Sequence, residues 1–244
     1  MKVSIPITCF NCRNFLKDAV KSVVNQTYTD WEIIFVNDAS TDESLAYIKK
    51  LIKKFRIGTK SKIVENEKNE GYGFSLRKGI ENSTGELVAV VDSDDALARA
   101  DALAIMVKAH KKNPEASLIY SNHWECTPDL RAVRQTKSRQ LKKGETFLDH
   151  KAKVSHLKCF KKSYYDRTEG INPVLKQTVD KDLVLKLEEV GRLIYVDKAL
   201  YLYRKHNKNL TRSLKKRPKE YRKFVGFWRK QVFEEARRRR GLKK

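Results

Sequence analysis

The residues Leu87-Val88-Ala89-Val90-Val91 form an unbroken apolar run, too short for a helix and apolar at odd and even positions alike. A strand of that kind is covered on both faces, as in parallel sheets flanked by helices. The chain before it agrees. Val3 to Thr8 reads as a strand, and Phe15 to about Asn25 as a helix with Leu16, Ala19, Val20, Val23 and Val24 at helical spacing. Glu32 to Val36 is a second, β-branched strand, and Lys62 to Val64 a weaker third. Strand–helix alternation at this pitch implies βαβ units and an open α/β sheet.

Ligands of such sheets bind just outside the carboxyl ends of the strands. Here those ends read Phe10-Asn11, Asn37-Asp38 and Asp92-Ser93-Asp94-Asp95. They are polar or acidic in a chain whose formal net charge is +23. A basic protein that gathers carboxylates at its strand ends is expected to have its site there.

A length of 244 residues suits one large domain or two small ones, and 40% hydrophobic residues suffice for a core. No run approaches the roughly 18 apolar residues of a spanning helix. Met1 to Pro6 leads straight into a strand without a signal-peptide pattern, so a cytoplasmic location is expected. Cys9 and Cys12 have the spacing of a redox pair or half a zinc site. No second such pair follows, and they close an apolar strand, so they read as reduced structural thiols alongside Cys126 and Cys159.

After about residue 120 the alternation fades. Residues 124–143 are polar and basic and read as a hairpin or a loop. Lys181 to Val190 is helical, and Arg192–Val196 and Ala199–Tyr203 read as two short strands. Residues 213–244 carry 14 Lys or Arg against three Glu. Within them Tyr221, Phe224, Val225, Trp228, Val232 and Phe233 recur on one helix face. Three segments are therefore expected: a regularly alternating half over 1–120, a less regular half over 121–212, and a basic amphipathic helix over 213–244.

Asp92, Asp94 and Asp95 at the mouth of a buried strand repel one another unless a cation joins them. Hard divalent ions such as Mg²⁺ and Mn²⁺ take oxygen ligands and share them with substrate phosphates. One Asp would serve as a helix cap; three exceed that need. In Asn69-Glu70-Gly71-Tyr72-Gly73-Phe74-Ser75-Leu76-Arg77-Lys78, the glycines allow close approach of a ligand, and Arg77 and Lys78 could meet phosphate. An ordinary turn before a helix reads equally well. Asp180 and Asp182 open a helix, as caps or as a general base for a hydroxyl. His206 could be a metal ligand, a phosphate contact or a bystander.

Taken in order, these motifs resemble the family 2 glycosyltransferases of GT-A fold over about residues 1–212. Thr8-Cys9-Phe10-Asn11 stands where Pro-x-Tyr-Asn is usual, and Ser22 to Tyr28 is similar to S-x-x-x-Q-T-Y. Val36-Asn37-Asp38-Ala39-Ser40-Thr41-Asp42 is similar to V-D-D-G-S-T-D, and Asp92 to Asp95 to D-x-D-D. Val179-Asp180-Lys181-Asp182-Leu183 stands for E-D-x-x-L, and Tyr203 to His206 for Y-R-x-H.

The resemblance implies a Rossmann-like, mostly parallel sheet and metal-dependent, inverting transfer of a sugar from a nucleotide diphosphate donor, UDP by expectation. Asp38 would bond the base, with Thr8, Phe10 and Asn11 lining that pocket, and Asp92 and Ser93 would approach the ribose or sugar. Asp94, with Asp95 and His206, would hold Mn²⁺ or Mg²⁺, and Asp180 would be the catalytic base. Arg77 replaces a common Asn in the donor segment, and Val179 a usual Glu. The acceptor would be a saccharide or lipid-linked saccharide of cell-surface polysaccharide synthesis. The basic tail would lie on an anionic membrane surface or pack on the domain.

A sugar nucleotidyltransferase is the rival enzyme, but Thr8 to Leu16 lacks the glycine of its phosphate loop. A nucleic-acid-binding protein would account for the charge and leave the acidic strand ends without a purpose; no nucleic-acid partner is expected.

Overall fold

The computed structural model describes residues 1–149, 154–206 and 218–242. Its first half builds β1 (Val3–Cys9), α1 (Arg13–Val24), β2 (Trp31–Asn37), α2 (Ser44–Phe55), β3 (Ser61–Glu65), α3 (Tyr72–Glu81) and β4 (Leu87–Val90). The second builds β5 (Ala96–Leu97), α4 (Ala102–Lys112), β6 (Ala116–Cys126), β7 (Ala132–Gln135), β8 (Lys158–Lys161), α5 (Lys162–Tyr165), α6 (Val179–Val190), β9 (Arg192–Arg204) and α7 (Lys219–Arg239).

The strands form one mixed sheet in the order β3-β2-β1-β4-β8-β6-β9-β5, with β7 paired to β6. The first four run parallel, as the apolar runs predict. Cys9 pairs with Asn37 at the last step of the β1–β2 register, so Phe10 and Asp38 leave the sheet at one level. Strand β4 lies on the other side of β1 and delivers Asp92 to the same edge.

The apolar run ending β4 serves both faces by simple alternation. Leu87, Ala89 and Val91 join a core with Leu16, Val20 and Val23 of α1 and Leu103 and Met106 of α4. Val88 and Val90 join a second core with Leu76 and Ile80 of α3 and Leu183 and Leu187 of α6. The start of the sheet is tied by Glu32, whose carboxylate accepts from Ser4 Oγ at 2.6 Å, Lys2 Nζ at 2.8 Å and Thr84 N at 2.7 Å. Cys9, Cys12, Cys126 and Cys159 are all free and buried.

The second half departs from its reading in three places. The division expected at residue 120 falls inside β6, which continues to Cys126 and carries β7 as an antiparallel partner. The two short strands expected over 192–203 are one strand, β9, whose register against β6 shifts around Asn122. Helix α6 begins two residues earlier than expected, at Val179.

Of the tail expected over 213–244, residues 213–217, 243 and 244 lie outside the described residues. Helix α7 seats Val232, Phe233 and Ala236 in the second core, with Phe147 and Phe233 ring centroids 6.3 Å apart. Arg239 and Arg240 pair with Glu189 and Glu188 of α6, each at 2.8 Å. The C-terminal half of its apolar face is thus spent on the domain. No described helix is long and apolar enough to cross a membrane.

Two kinds of buried group make stability depend on pH. His110 of α4 meets the Cys159 carbonyl through Nε2 at 3.0 Å, and burial pushes it down to about 4. Glu32 is raised by burial but lowered further by Lys2, Ser4 and Thr84, and ends at about 2. Between 6.5 and about 4 the unfolded chain takes up a proton that folded His110 refuses; between 4.5 and about 2 the same holds for Glu32. Stability should therefore fall with pH in two stages, the first beginning below 6.5. Urea midpoints of the parent and of His110→Gln measured across this range check it; a difference between the two that stays constant from 6.5 to about 4 would remove the histidine stage.

Candidate active site

Ten of the eleven candidate residues line one cavity of about 960 Å³ at the carboxyl ends of β1, β2 and β4. Its wall includes Thr8, Phe10, Asn11, Asp38, Asp92, Ser93, Asp94, Asp95, Asp180 and His206. The volume is at the upper end for a pocket that holds a cofactor-sized ligand. A smaller cleft around Trp124 and Leu202 contains no carboxylate.

Asp38 is nearly fully buried at the end of β2. One oxygen accepts from Asn66 Nδ2 at 2.7 Å and Glu70 N at 2.9 Å, the other from Gly71 N at 2.9 Å. It therefore closes the loop before α3 onto the sheet, and one of a carboxylate's roughly four lone-pair sites stays open towards the cavity. Asn11, with φ of 50°, spends its side-chain oxygen on Thr41 N at 2.9 Å and Asp42 N at 3.2 Å, leaving Phe10 half exposed in the wall.

The acidic turn is held from several elements. Asp92 accepts from Tyr72 Oη at 2.8 Å, and its own N–H donates to Tyr201 Oη at 3.0 Å. Burial, and then the charge of Asp94, push Asp92 up to about 6. Asp94 Oδ2 lies 2.8 Å from His206 Nε2, and His206 rests on the Phe15 ring with centroids 4.5 Å apart. Asp95 faces inward and is wholly buried; its Oδ1 accepts from Arg204 N at 2.7 Å. Burial and the two neighbouring carboxylates push it well up. The metal-binding expectation thus divides: Asp94 and His206 meet at the cavity, while Asp95 supports the turn from behind.

The two carboxylates at the start of α6 part company in the same way. Asp182 is buried, accepts from Asn172 N at 2.9 Å and pairs with Lys186 Nζ at 3.1 Å. Asp180 is exposed in the cavity and has no hydrogen-bond or ion-pair partner among the described residues. The N-terminus of α6 favours its negative charge.

Arg77 is the residue the sequence misplaces. It bonds Glu81 at 2.8 Å and the carbonyls of Glu169 at 3.3 Å and Ile171 at 3.2 Å, away from the cavity wall. Lys78 likewise turns to Glu65 O and Asn66 Oδ1. The glycine at 73 admits a piece of the chain, not a ligand: a Cβ there would collide with the Leu175 carbonyl and stand 3.2 Å from that of Asn172. Helix α3 therefore braces the loop that leads to Asp180.

Several wall residues carry no signal in the sequence. Tyr72 sits between two glycines that are the more conspicuous feature of its segment. His123 and His156 line the cavity, and His156 stacks on Tyr201 at 4.8 Å between centroids. Burial holds His123 at about 4 and His156 well below its ordinary range, so both are neutral at pH 7. Lys158 of β8 is buried and finds no hydrogen-bond partner among the described residues. Burial lowers it, and Asp180 and Asp92 oppose that shift. A lysine or histidine in a strand is unremarkable until the sheet is assembled.

The model of glycosyl transferase family 2 matches residues 4–168, more than half the chain. The chain belongs to glycosyltransferase family 2. It is 28% identical over 219 residues to a hyaluronan synthase of Pasteurella multocida, covering 88% of this chain and 21% of that one. A chondroitin synthase of Escherichia coli is 27% identical over 214 residues, covering 88% and 30%. The chain thus spans less than a third of these curated relatives. Among solved structures, S. aureus TarS in complex with UDP-GlcNAc superposes with a TM-score of 0.72 at 21% identity, covering 87% of this chain and 61% of that one. A mannosyltransferase from Pyrobaculum calidifontis in complex with GDP-Man and Mn²⁺ gives 0.65 at 16%, covering 86% and 58%. At these identities the structures establish the GT-A fold.

The split between Asp180 and Asp182 can be measured. Asp182→Ala removes the 3.1 Å partner of buried Lys186, which keeps only the Gly170 carbonyl at 2.7 Å and Glu169 at 3.9 Å among the described residues, and should cost up to about 3–5 kcal/mol in denaturant unfolding. Asp180→Asn should leave stability within about 0.5 kcal/mol of the parent. Equal losses would mean that Asp180 is also a structural carboxylate.

Proposed function

We propose that the chain transfers a sugar from a nucleotide diphosphate sugar, UDP-linked, to a hydroxyl of a saccharide or lipid-linked saccharide in cell-surface polysaccharide synthesis. One observation carries this reading. A partnerless carboxylate, Asp180, faces the same cavity as Asp38, Asp92 and the Asp94–His206 pair, at the strand ends where this fold binds ligands.

Each group has a role its surroundings suit. Asp38 offers its remaining lone pair to a base N–H, between Thr8 and the Phe10 ring, while Asn11 shapes that wall. Asp92 and Ser93 lie next along the cavity, towards the ribose and sugar. Asp180, whose oxygens have no hydrogen-bond partner among the described residues, accepts the acceptor hydroxyl's proton as the hydroxyl oxygen attacks the anomeric carbon from the side opposite the leaving diphosphate. A single displacement of this kind inverts that centre.

A divalent cation fits the donor set at Asp94 and His206. A carboxylate oxygen and an imidazole nitrogen are 2.8 Å apart in the cavity wall, next to Asp92 and Ser93. No group of three or more potential protein ligands converges among the described residues. That suits Mn²⁺ or Mg²⁺, which keep positions for phosphate oxygens and water. When bound, the ion would supply Lewis-acid stabilisation of charge on the leaving diphosphate.

Thermal melts with UDP and GDP, each with and without Mn²⁺, test the donor. Ligand at about 100 times its dissociation constant adds about 2.7 kcal/mol, and the reading expects a metal-dependent rise with UDP. Asp94→Ala should remove the Mn²⁺ dependence. Asp180→Asn should abolish transfer and leave the UDP shift in place. Equal loss of both would end the assignment of Asp180 as base.

A further inference from the structure

Helix α7 reaches the cavity through Tyr221 and Phe224, which line its wall with Lys176, Gln177, Thr178 and Asp180. Gln177, three residues before Asp180, donates from Nε2 to Tyr221 Oη at 2.9 Å. The helix is thus coupled to the turn that presents Asp180. Phe224 is 40% exposed, while its ring stands edge-on to Trp228 at 6.2 Å and 6.4 Å from that of Tyr221. An aromatic face left open in a cavity wall is unfavourable in water unless a ligand covers it. Lys176 is exposed in the same wall, and Arg222 and Lys223 are exposed next to Phe224 along α7; none is in an ion pair among the described residues. Phe224 and Lys176 thus share a wall with Asp180.

We propose that α7 forms the acceptor subsite: the apolar face of a saccharide ring stacks on Phe224 and Tyr221, and Lys176 holds an anionic group of the same chain, with Arg222 and Lys223 adding positive charge from the helix. This rests on the transferase reading above. It identifies the acceptor as an anionic saccharide and gives the tail a part in binding it. Stacked rings present C–H groups to the π face, and aromatic side chains supply that surface at small entropic cost. Carboxylate or phosphate on the chain would match the unpaired cations, and their attraction weakens as salt rises.

The test uses the full chain and three hexasaccharides: one bearing uronate carboxylates, its carboxyl-reduced neutral form, and a phosphorylated maltohexaose. Calorimetry with the parent should detect the uronate or the phosphorylated sugar more tightly than the neutral one; whichever binds names the anion. Phe224→Ala should weaken that binding about tenfold, with UDP binding and melting temperature unchanged. Phe224→Tyr should restore it. Lys176→Gln should erase most of the preference for the anionic sugar and leave neutral binding alone.

The inference fails if Phe224→Ala keeps parental saccharide affinity, if the parent binds none of the three, or if neutral and anionic forms bind alike. It also fails if Phe224→Ala loses only binding to phosphatidylglycerol vesicles, because α7 would then be a membrane contact. Absence of UDP binding by the parent would instead strike the transferase reading itself, so the two failures are separable.

Discussion

A turn with three carboxylates in four residues cannot keep its shape unaided, and the rest of this molecule depends on how that turn is held. Arg204, the last residue of β9, does most of it. Its backbone N–H takes Asp95, its Nε donates to the Asp94 carbonyl at 2.6 Å, and its terminal nitrogens reach Asp18 at 2.8 Å and the Pro128 carbonyl. Its guanidinium also lies over the Phe15 ring, 4.7 Å from the centroid. One buried side chain thus joins α1, the acidic turn, the loop after β6 and the final strand. The planar, five-donor fork is what makes this possible; a lysine could not meet so many acceptors at once. Two residues later the chain presents His206 to Asp94, so the clasp and the histidine–carboxylate contact of the cavity come from one stretch of backbone.

The cavity's other edges are fixed by backbone that is costly to form. Asn11, Ala39 and Thr178 have φ of 50°, 51° and 63°, and all three follow strand ends or open α6 beside the site. Left-handed backbone costs roughly 1–2 kcal/mol for a residue with a Cβ, and it persists where surrounding bonds over-determine it. The bonds are visible: Asn11 to Thr41 and Asp42, and Asp38 to the loop at 70 and 71. The loop before α6 is pinned by Arg77, by Lys186 at the Gly170 carbonyl and by Asp182 at Asn172. The site is built on loops made rigid by their ties to one another.

These ties explain what is legible in the sequence. The first half can be read because each signal is local. Apolar runs mark β1, β2 and β4, and a parallel sheet obliges their carboxyl ends to share an edge, so the nearness of Asp38 and Asp92 follows from the strand pattern alone. The second half rests on long-range pairing. Strand β8, with its Lys158, sits between β4 and β6 and has no alternation of its own, so neither the strand nor the buried lysine announces itself. Arg77 misleads for a related reason. A basic residue after glycines is equally suited to phosphate or to carbonyls, and only the position of residues 169–171 decides between them. Asp180 and Asp182 look alike as letters; burial separates them.

Charge is the last feature that the fold rearranges. The chain as a whole is strongly basic, yet its cavity floor is acidic, with Asp38, Asp92, Asp94, Asp95 and Asp180 in one wall. In the proposed function an anionic donor entering such a floor would be repelled without a counter-charge, and that is the task given to a divalent ion at Asp94 and His206. The excess of Lys and Arg lies elsewhere, with eight of them on α7. In the proposed acceptor subsite this separates two tasks that would otherwise conflict. The positive field of the helix would attract an anionic chain at long range, where field and not contact matters. Asp180 feels the charge of buried Lys158 yet shares no hydrogen bond or ion pair with it among the described residues. Its oxygens are therefore left open for the part of base proposed for it.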